Sequence, residues 1–138
     1  KDRIEVLNKF RDRPAGYILV SPSMTTGVDL PDDACRWQMI PKLPFPYLGD
    51  EIVRLRKDDE RRIMWHGRDI KVGDLYYAWA TATAIVQAYG RAMRSSSDWG
   101  YTYLFDTNFG SFASEARWGP LFPSWFREAI LYDTEFRN

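Results

Sequence analysis

Near the middle of the chain stands the run Gln87-Ala88-Tyr89-Gly90-Arg91-Ala92-Met93-Arg94. It lies near the end of a long helical pattern, predicted over about residues 74–96, whose start is capped by the carboxylate of Asp74. Apolar side chains recur along this pattern at alternating steps of four and three residues. They therefore share one narrow stripe, which we expect to be buried and which consists of Leu75, Trp79, Ala82, Val86, Tyr89 and Met93.

A neighbouring face of the same helical pattern is polar. Gln87, Arg91 and Arg94 fall within about 60° of one another, about a third of a turn from the apolar stripe. Gly90 lies between the two faces, where it costs up to about 1 kcal/mol of helix propensity relative to alanine. A glycine at this point indicates that another group approaches the backbone. Taken alone, the two arginines also fit solvated cations near a helix C-terminus, which the helix dipole favours by a few tenths of a kcal/mol.

Composition limits the kinds of partner and cofactor. The 138 residues suffice for one domain, residues 1–138, and 19 acidic residues balance 19 basic ones. No overall field therefore attracts nucleic acid or anionic lipid. With Cys35 as the single cysteine, an internal disulfide and a cysteine-bound iron–sulfur cluster are excluded within this chain. His66 is the only histidine, in a Trp-His-Gly-Arg turn, so we expect no metal site; no apolar run or signal peptide predicts membrane association.

Three short apolar runs read as strands: residues 17–20, residues 37–40 and residues 99–106. Strands that alternate with helices predict a mostly parallel sheet covered by helices. A charged segment at about 48–65 predicts a helical insertion. Its positive and negative residues are interleaved, which favours a solvated helix over a nucleic-acid-binding patch. A last amphipathic helix is predicted at about 123–132, with Trp125, Phe126 and Ile130 towards the core.

The loop after the first predicted strand, Ser23-Met24-Thr25-Thr26-Gly27-Val28-Asp29, resembles motif V of superfamily 2 helicases, and residues 87–94 resemble their motif VI. The resemblance is closest to the XPD/DinG branch. There a Leu-Pro-Phe-Pro-type segment, here Leu43-Pro44-Phe45-Pro46, follows motif V, and an acidic–aromatic–Gly step, here Asp98-Trp99-Gly100, leads into a strand ending in Asp106. All four segments agree in order and spacing, over about residues 15–132.

This resemblance implies a partial RecA-like (P-loop NTPase-type) α/β domain, the C-terminal half of helicase motor domain 2, within a longer protein. The chain contains no Gly-x-x-x-x-Gly-Lys-[Ser/Thr] sequence. ATP with magnesium would therefore be bound mainly by the missing first motor domain, and the isolated chain is expected to be inactive. The implied partners are that domain and single-stranded or forked DNA. The implied compartment is the cytoplasm (nucleoid) for a bacterial or phage protein and the nucleus for a eukaryotic one.

The resemblance also implies a role for particular residues. Arg91 and Arg94 would face the triphosphate as catalytic groups, one of them as an arginine finger, because a guanidinium binds phosphate oxygens bidentately and stays charged. Four further residues would contribute to ATP binding: Gly27, Asp29, Gln87 and Gly90. Two hydroxyl residues would contact a DNA phosphate: Thr25 and Thr26. The family more often has an acidic residue at the position of Thr26.

Three functions remain open at this point. The first is a DNA helicase motor that couples ATP hydrolysis to movement on a single strand. The second is an ATP-driven translocase or nuclease-associated motor that does not unwind DNA. The third is a non-catalytic DNA- or protein-binding module derived from a motor domain. The intact set of Gln87, Gly90, Arg91 and Arg94 favours a working motor, since drift would be expected to remove one of the four.

Overall fold

The computed structural model describes residues 3–12, 16–20, 30, 35–91 and 99–132. Its helices are α1 (Arg3–Asp12), α2 (Glu51–Lys57), α3 (Val72–Tyr89), α4 (Phe109–Phe112) and α5 (Ser124–Glu128), with a 3-10 turn at Gly119–Leu121. Its strands are β1 (Trp37–Ile40), β2 (Arg62–Trp65), β3 (Arg68–Lys71) and β4 (Tyr101–Leu104). Two compact units are present: unit 1 comprises Lys1–Lys42 and Gln87–Phe105, and unit 2 comprises Leu43–Val86 and Asp106–Asn138.

Unit 1 contains a parallel pair of strands. β1 and β4 align in register from the pair Trp37 and Tyr101 to the pair Ile40 and Leu104. The N–H of Phe105 donates to the carbonyl oxygen of Ile40 at 3.1 Å, which extends the ladder by one step. A parallel pair requires a long crossover connection, and the chain between the two strands contains α2, a hairpin and α3. The predicted α/β class and these two strands are therefore confirmed.

The strand predicted at residues 17–20 is not formed. The segment is described without strand structure, and Tyr17, Ile18 and Val20 are 61%, 72% and 86% exposed. A strand is stabilised by hydrogen bonds to a neighbouring strand and by burial of at least one face. A local apolar run indicates only the capacity for burial, so the sequence pattern could not establish a pairing partner.

In unit 2 the predicted helical insertion at 48–65 is only partly helical. α2 begins after Asp50, whose carboxylate accepts the N–H groups of Ile52 at 2.8 Å and Val53 at 3.2 Å. The later half instead forms β2, which pairs antiparallel with β3. His66 and Gly67 connect the two strands with positive φ angles of 47° and 73°, the combination that a two-residue type I′ hairpin turn requires.

The charges of this region neutralise one another locally, as their interleaving indicated. Arg61 pairs with Asp59 at 2.6 Å. Lys71 pairs with Glu60 at 2.7 Å. A third pair joins Arg62 to its hairpin neighbour Asp69 at 2.8 Å. The hydrogen bonds from Arg61 hold the pKa of Asp59 below its usual value.

The long helix begins earlier than predicted. α3 starts at Val72, so Asp74 lies in its first turn instead of capping it, and its carboxylate binds Lys57 Nζ at 2.7 Å. The N–H of Gly73 donates to the carbonyl oxygen of Asp59 at 3.1 Å. A Cβ at Gly73 would lie 2.0 Å from the carbonyl oxygen of Lys57. One close backbone approach that demands a glycine therefore occurs at the start of this helix. The approach predicted at Gly90 stays a prediction.

The buried face of α3 differs from the predicted stripe. It consists of small side chains with one isoleucine: Ala78, Thr81, Ala82, Ile85 and Ala88. Ala82 belongs to both faces, so its predicted burial is confirmed. At 100° per residue its centre is about 80° away from the stripe. Trp79 is 53% exposed, Leu75 and Val86 are half-buried, and Met93 lies outside the described residues. Periodicity alone could not distinguish the two faces, because both are apolar and only the smaller side chains permit a close approach.

Trp79 instead lines an open apolar groove of about 260 Å³ in unit 2, together with Trp65, Val72, Leu75, Tyr76 and Leu121. The C-terminal part of unit 2 packs around Phe122, whose ring centroid is 5.0 Å from that of Phe126 and 6.1 Å from that of Phe112. The last helix is shorter than predicted. Phe126 is buried as expected, whereas Trp125 is 52% exposed.

Candidate functional site

The structure describes three of the eight predicted site residues: Gln87, Gly90 and Arg91. The other five lie outside the described residues, namely Thr25, Thr26, Gly27, Asp29 and Arg94. The expected proximity of the 23–29 loop to the helix face therefore stays a prediction.

The three described residues lie at the C-terminal end of α3. The helix ends at Tyr89, and Gly90 and Arg91 form a turn in which the N–H of Arg91 donates to the carbonyl oxygen of Ala88 at 3.1 Å. The prediction that the helix continues through Gly90 and Arg91 was wrong. Glycine is common immediately after a helix, so the residue type fits the observed end better than an interior position.

The side chains of the three described site residues differ in their exposure to solvent. The side chain of Gln87 is exposed on the last turn of α3, whereas Gly90 and Arg91 are half-buried. Arg91 follows the negative end of the helix dipole, which favours a cation there by about 0.3–1 kcal/mol. A guanidinium held in this way can present its planar fork to phosphate oxygens.

Gln38, a residue that the sequence reasoning missed, fastens this helix end to the sheet. Its Nε2 donates to the carbonyl oxygens of Ala88 at 2.8 Å and Tyr89 at 3.5 Å, and to Thr102 Oγ1 at 2.8 Å. The last carbonyl groups of a helix lack partners within the helix, so this amide satisfies acceptors that would otherwise need water. The available signal was a lone amide inside the apolar run of β1, Trp37-Gln38-Met39-Ile40.

Two further segments of the helicase-like pattern meet in unit 2. Asp106 Oδ2 accepts the N–H of Leu43 at 3.0 Å, which joins the acidic residue after β4 to the start of the Leu-Pro-Phe-Pro segment. The ring of Phe45 stacks on Tyr77 with centroids 5.4 Å apart, and the Tyr77 hydroxyl donates to the carbonyl oxygen of Pro46 at 3.0 Å. The Leu-Pro-Phe-Pro segment is therefore held against α3 by specific contacts.

Within the described ranges, no group of three or more His, Cys, Asp and Glu side chains could hold a metal ion. The ring of His66 packs against Trp65 at a centroid distance of 4.5 Å, and Cys35 is buried. None of the helices that the structure describes is long and apolar enough to cross a membrane.

Residues 1–129 match the family described as "Helicase C-terminal domain". The chain belongs to this helicase family. The matched residues include the four segments that resemble XPD/DinG-like superfamily 2 helicases. Of the stretch at 15–132, only residues 130–132 lie outside the match. The resemblance is confirmed. The small parallel sheet with its helices agrees with part of a RecA-like helicase C-terminal domain.

Several curated proteins are similar to this chain. The chain is 35% identical over 86 residues to "Regulator of telomere elongation helicase 1 homolog" of Aedes aegypti, covering 62% of this chain and 8% of that protein. It is 30% identical over 110 residues to the protein of the same name from Caenorhabditis elegans, covering 78% and 11%. It is 26% identical over 133 residues to "Fanconi anemia group J protein homolog" of Gallus gallus, covering 93% and 10%.

The chain thus spans about a tenth of the length of these relatives. No solved structure matches it significantly.

Proposed function

We propose that this chain is the C-terminal half of motor domain 2 of an ATP-dependent DNA helicase, within a longer protein. The proposal rests on the position of Gln87, Gly90 and Arg91, which belong to the run that resembles motif VI, at a helix end anchored by Gln38 in a member of the helicase C-terminal domain family. The first motor domain would supply the P-loop and bind most of the ATP and its magnesium ion. This chain would complete the nucleotide site from the other side of the cleft.

Arg91 and Arg94 act on the γ-phosphate in this proposal. Negative charge on the phosphoryl oxygens grows as the bond to the leaving group breaks, and a guanidinium supplied from outside the P-loop stabilises that charge. The hydrogen bonds from Gln38 to the end of α3 limit the movement of the backbone from which Arg91 projects. Positioning of this kind matters because a displacement of about 1 Å can cost a hundredfold in rate.

Motif V supplies the link to DNA. Thr25 and Thr26 offer hydroxyl and N–H groups to a backbone phosphate, a contact that positions the strand without reading its sequence. Gly27 and Asp29 lie on the nucleotide side, together with Gln87 and Gly90. The substrate is single-stranded or forked DNA. The relatives named above come from eukaryotes, which favours the nucleus; the nucleoid is the corresponding location in a bacterium or phage.

ATP turnover of the full-length protein with single-stranded DNA tests the proposal. Replacing Arg91 or Arg94 with alanine should lower the maximal rate by about 10³-fold while ATP binding weakens much less, because the interaction forms mainly in the transition state. Arg54→Ala is the matched control: it removes an exposed arginine of α2 and should leave the rate unchanged. Equal loss in all three variants would contradict the proposal. A strand-displacement assay then separates unwinding from translocation alone.

A further inference from the structure

The N-terminal part of α3 lines the open apolar groove of unit 2, which we call the Trp79 groove. Its walls consist of Trp65, Val72, Leu75, Tyr76, Trp79 and Leu121. Four of these residues come from α3 at positions i, i+3, i+4 and i+7, so they share one side of the helix. The stripe that the sequence predicted to be buried therefore begins in an open groove, while the alanine face of the same helix is covered.

Contacts within unit 2 hold the walls of the Trp79 groove in place. One guanidinium nitrogen of Arg68, in the hairpin, donates to the carbonyl oxygens of Ala116 and Arg117, each at 2.9 Å. The ring centroid of Trp65 lies 5.5 Å from that of Trp118. The hairpin is thus fastened to the C-terminal segment, and its second strand runs directly into α3. The groove is therefore formed before any partner binds, which lowers the ordering cost of binding.

Two arginines, Arg56 and Arg68, place positive charge beside the Trp79 groove. The guanidinium of Arg56 lies 5.3 Å from the ring centroid of Tyr76, and that of Arg68 lies 5.4 Å from the ring centroid of Trp118. Four other cations of this region pair with carboxylates, namely Lys57, Arg61, Arg62 and Lys71. Among the residues that the structure describes, no ion pair joins Arg56 or Arg68 to an acidic side chain. The groove is therefore apolar inside and positively charged at its edge.

We propose that the Trp79 groove binds a linear segment of a partner protein in which large apolar side chains are flanked by aspartate or glutamate. The apolar side chains enter the groove, and the flanking carboxylates meet the guanidiniums of Arg56 and Arg68. Trp, Tyr and Arg dominate the binding energy of many protein interfaces, and they make up much of this site. The groove of about 260 Å³ is slightly smaller than small-molecule sites of about 300–1,000 Å³, and it suits the side chains of a bound segment.

The surroundings of the Trp79 groove fit a nucleic-acid strand less well. Single-stranded DNA sites combine ring faces that stack on bases with a cationic groove along the phosphates. Here a guanidinium lies over the ring of Tyr76, and Trp65 packs against His66 and Trp118. The cations of β2 and β3 other than Arg68 pair with carboxylates, so the hairpin presents no continuous row of cations to phosphates. Two separate guanidiniums beside an apolar groove suit an acidic peptide better.

Peptide selection against the full-length protein tests the proposal. The probe is a phage-displayed library of random linear peptides, and counter-selection on the Trp79→Ala protein removes binders of other surfaces. We expect the remaining peptides to share large apolar residues flanked by Asp or Glu. A synthetic peptide of that consensus should bind Trp79→Ala at least about tenfold more weakly than the wild type. Trp125→Ala is the matched control and should bind as the wild type does, because Trp125 is 52% exposed, against 53% for Trp79, and lies on α5 outside the groove.

A charge reversal tests the flanking contacts separately from the groove. Arg56→Glu places a like charge opposite the carboxylates of the consensus peptide, so we expect binding to weaken several-fold, and more strongly at low salt. Arg54→Glu is the matched control, because both arginines are exposed in the last turn of α2 and the change in charge is the same. It should weaken binding by less than about twofold, since an exposed charge without a close partner contributes little.

Four results would overturn the proposal. Selection could give no peptide that depends on Trp79, or a consensus without acidic residues. Arg56→Glu and Arg54→Glu could weaken binding equally. Competitive displacement of the peptide by oligothymidylate would indicate a nucleic-acid site, and self-association of the protein that Trp79→Ala abolishes would indicate a second copy as the occupant. None of these measurements uses ATP turnover or unwinding, so failure of the proposed helicase function leaves the peptide result interpretable, and the reverse also holds.

Discussion

Gln38 Nε2 lies 2.8 Å from the carbonyl oxygen of Ala88, although the two residues are 50 positions apart in sequence. Through this hydrogen bond a strand residue holds the end of the helix from which Arg91 follows. The same amide reaches Thr102 of β4, so both parallel strands are joined to the helix end. The segment that resembles motif VI is therefore held in place by a residue of β1, outside the segment.

The first prediction concerns this amide. Gln38→Leu keeps the approximate size of the side chain but leaves helix-end carbonyl groups without their donor. Because an unsatisfied buried polar group costs about 1–3 kcal/mol, we expect the free energy of unfolding to fall by about that amount. Gln87→Leu, at an exposed position of α3, should change it by less than about 0.5 kcal/mol. Denaturant titration monitored by far-UV circular dichroism measures both. Equal effects would mean that the hydrogen bonds of Gln38 contribute little.

Two glycines should respond to alanine with opposite sign. At Gly73 a Cβ would lie 2.0 Å from the carbonyl oxygen of Lys57, so the backbone must shift, and we expect a loss of about 1–3 kcal/mol or more. At Gly110, within α4, the nearest atom to a Cβ is Tyr132 Cε1 at 3.8 Å, an ordinary contact. Gly110→Ala should therefore stabilise the protein by up to about 1 kcal/mol. Thermal unfolding of the two variants checks the signs, and a stable Gly73→Ala protein would refute the close approach.

The stability contributed by Asp59 should depend on pH. Hydrogen bonds from Arg61 lower the pKa of Asp59 from its usual 3.8, so the native state favours the ionised form more than the unfolded state does. This contribution is complete above about pH 4 and is lost as the pH falls through the lowered pKa. Wild type should therefore exceed Asp59→Asn in unfolding midpoint at pH 6, and the difference should shrink at pH 2.5. A difference that grows on acidification would contradict the assignment.

The isolated chain should neither hydrolyse ATP nor bind it tightly. It contains no P-loop sequence, and that loop supplies most of the phosphate contacts and a magnesium ligand in P-loop enzymes. Isothermal titration with ATP and magnesium should give little heat at protein concentrations of tens of micromolar. A dissociation constant in the low micromolar range would show a nucleotide site that the present assignment lacks.

Under the proposed function, substitutions in the segments that resemble motif V and motif VI should have different effects in the full-length protein. Thr25→Ala removes a proposed contact to a DNA phosphate, so it should raise the DNA concentration needed for half-maximal ATPase stimulation and leave basal turnover nearly unchanged. Arg94→Ala should instead lower maximal turnover by orders of magnitude. One titration of ATPase rate against single-stranded DNA separates the two effects. If Arg94→Ala shifted only the DNA midpoint, the assignment of that arginine to the nucleotide would be wrong.

Features that depend on neighbouring residues could be read from the sequence. The apolar runs of β1 and β4 form strands, and His66-Gly67 supplies the two positive φ angles that its hairpin turn needs. Membership of the helicase C-terminal domain family followed from four motifs in a fixed order, because order and spacing are properties of the chain itself. Local cancellation of charge within the segment at about 48–65 was also indicated, and the pair of Arg61 with Asp59 agrees with it, since ions close in sequence can meet without a long-range contact.

Tertiary contacts decided the rest. Residues 17–20 have the composition of a strand but lack a partner in the described structure, and pairing is not a local property. α3 buries its alanine face rather than the stripe containing Trp79, because periodicity defines which residues share a face and only packing selects the face that is covered. The hydrogen bonds of Gln38 to the end of α3 likewise depend on tertiary structure. Its amide is an ordinary polar side chain in the sequence, and only the fold brings to it the helix end whose carbonyl groups need a donor.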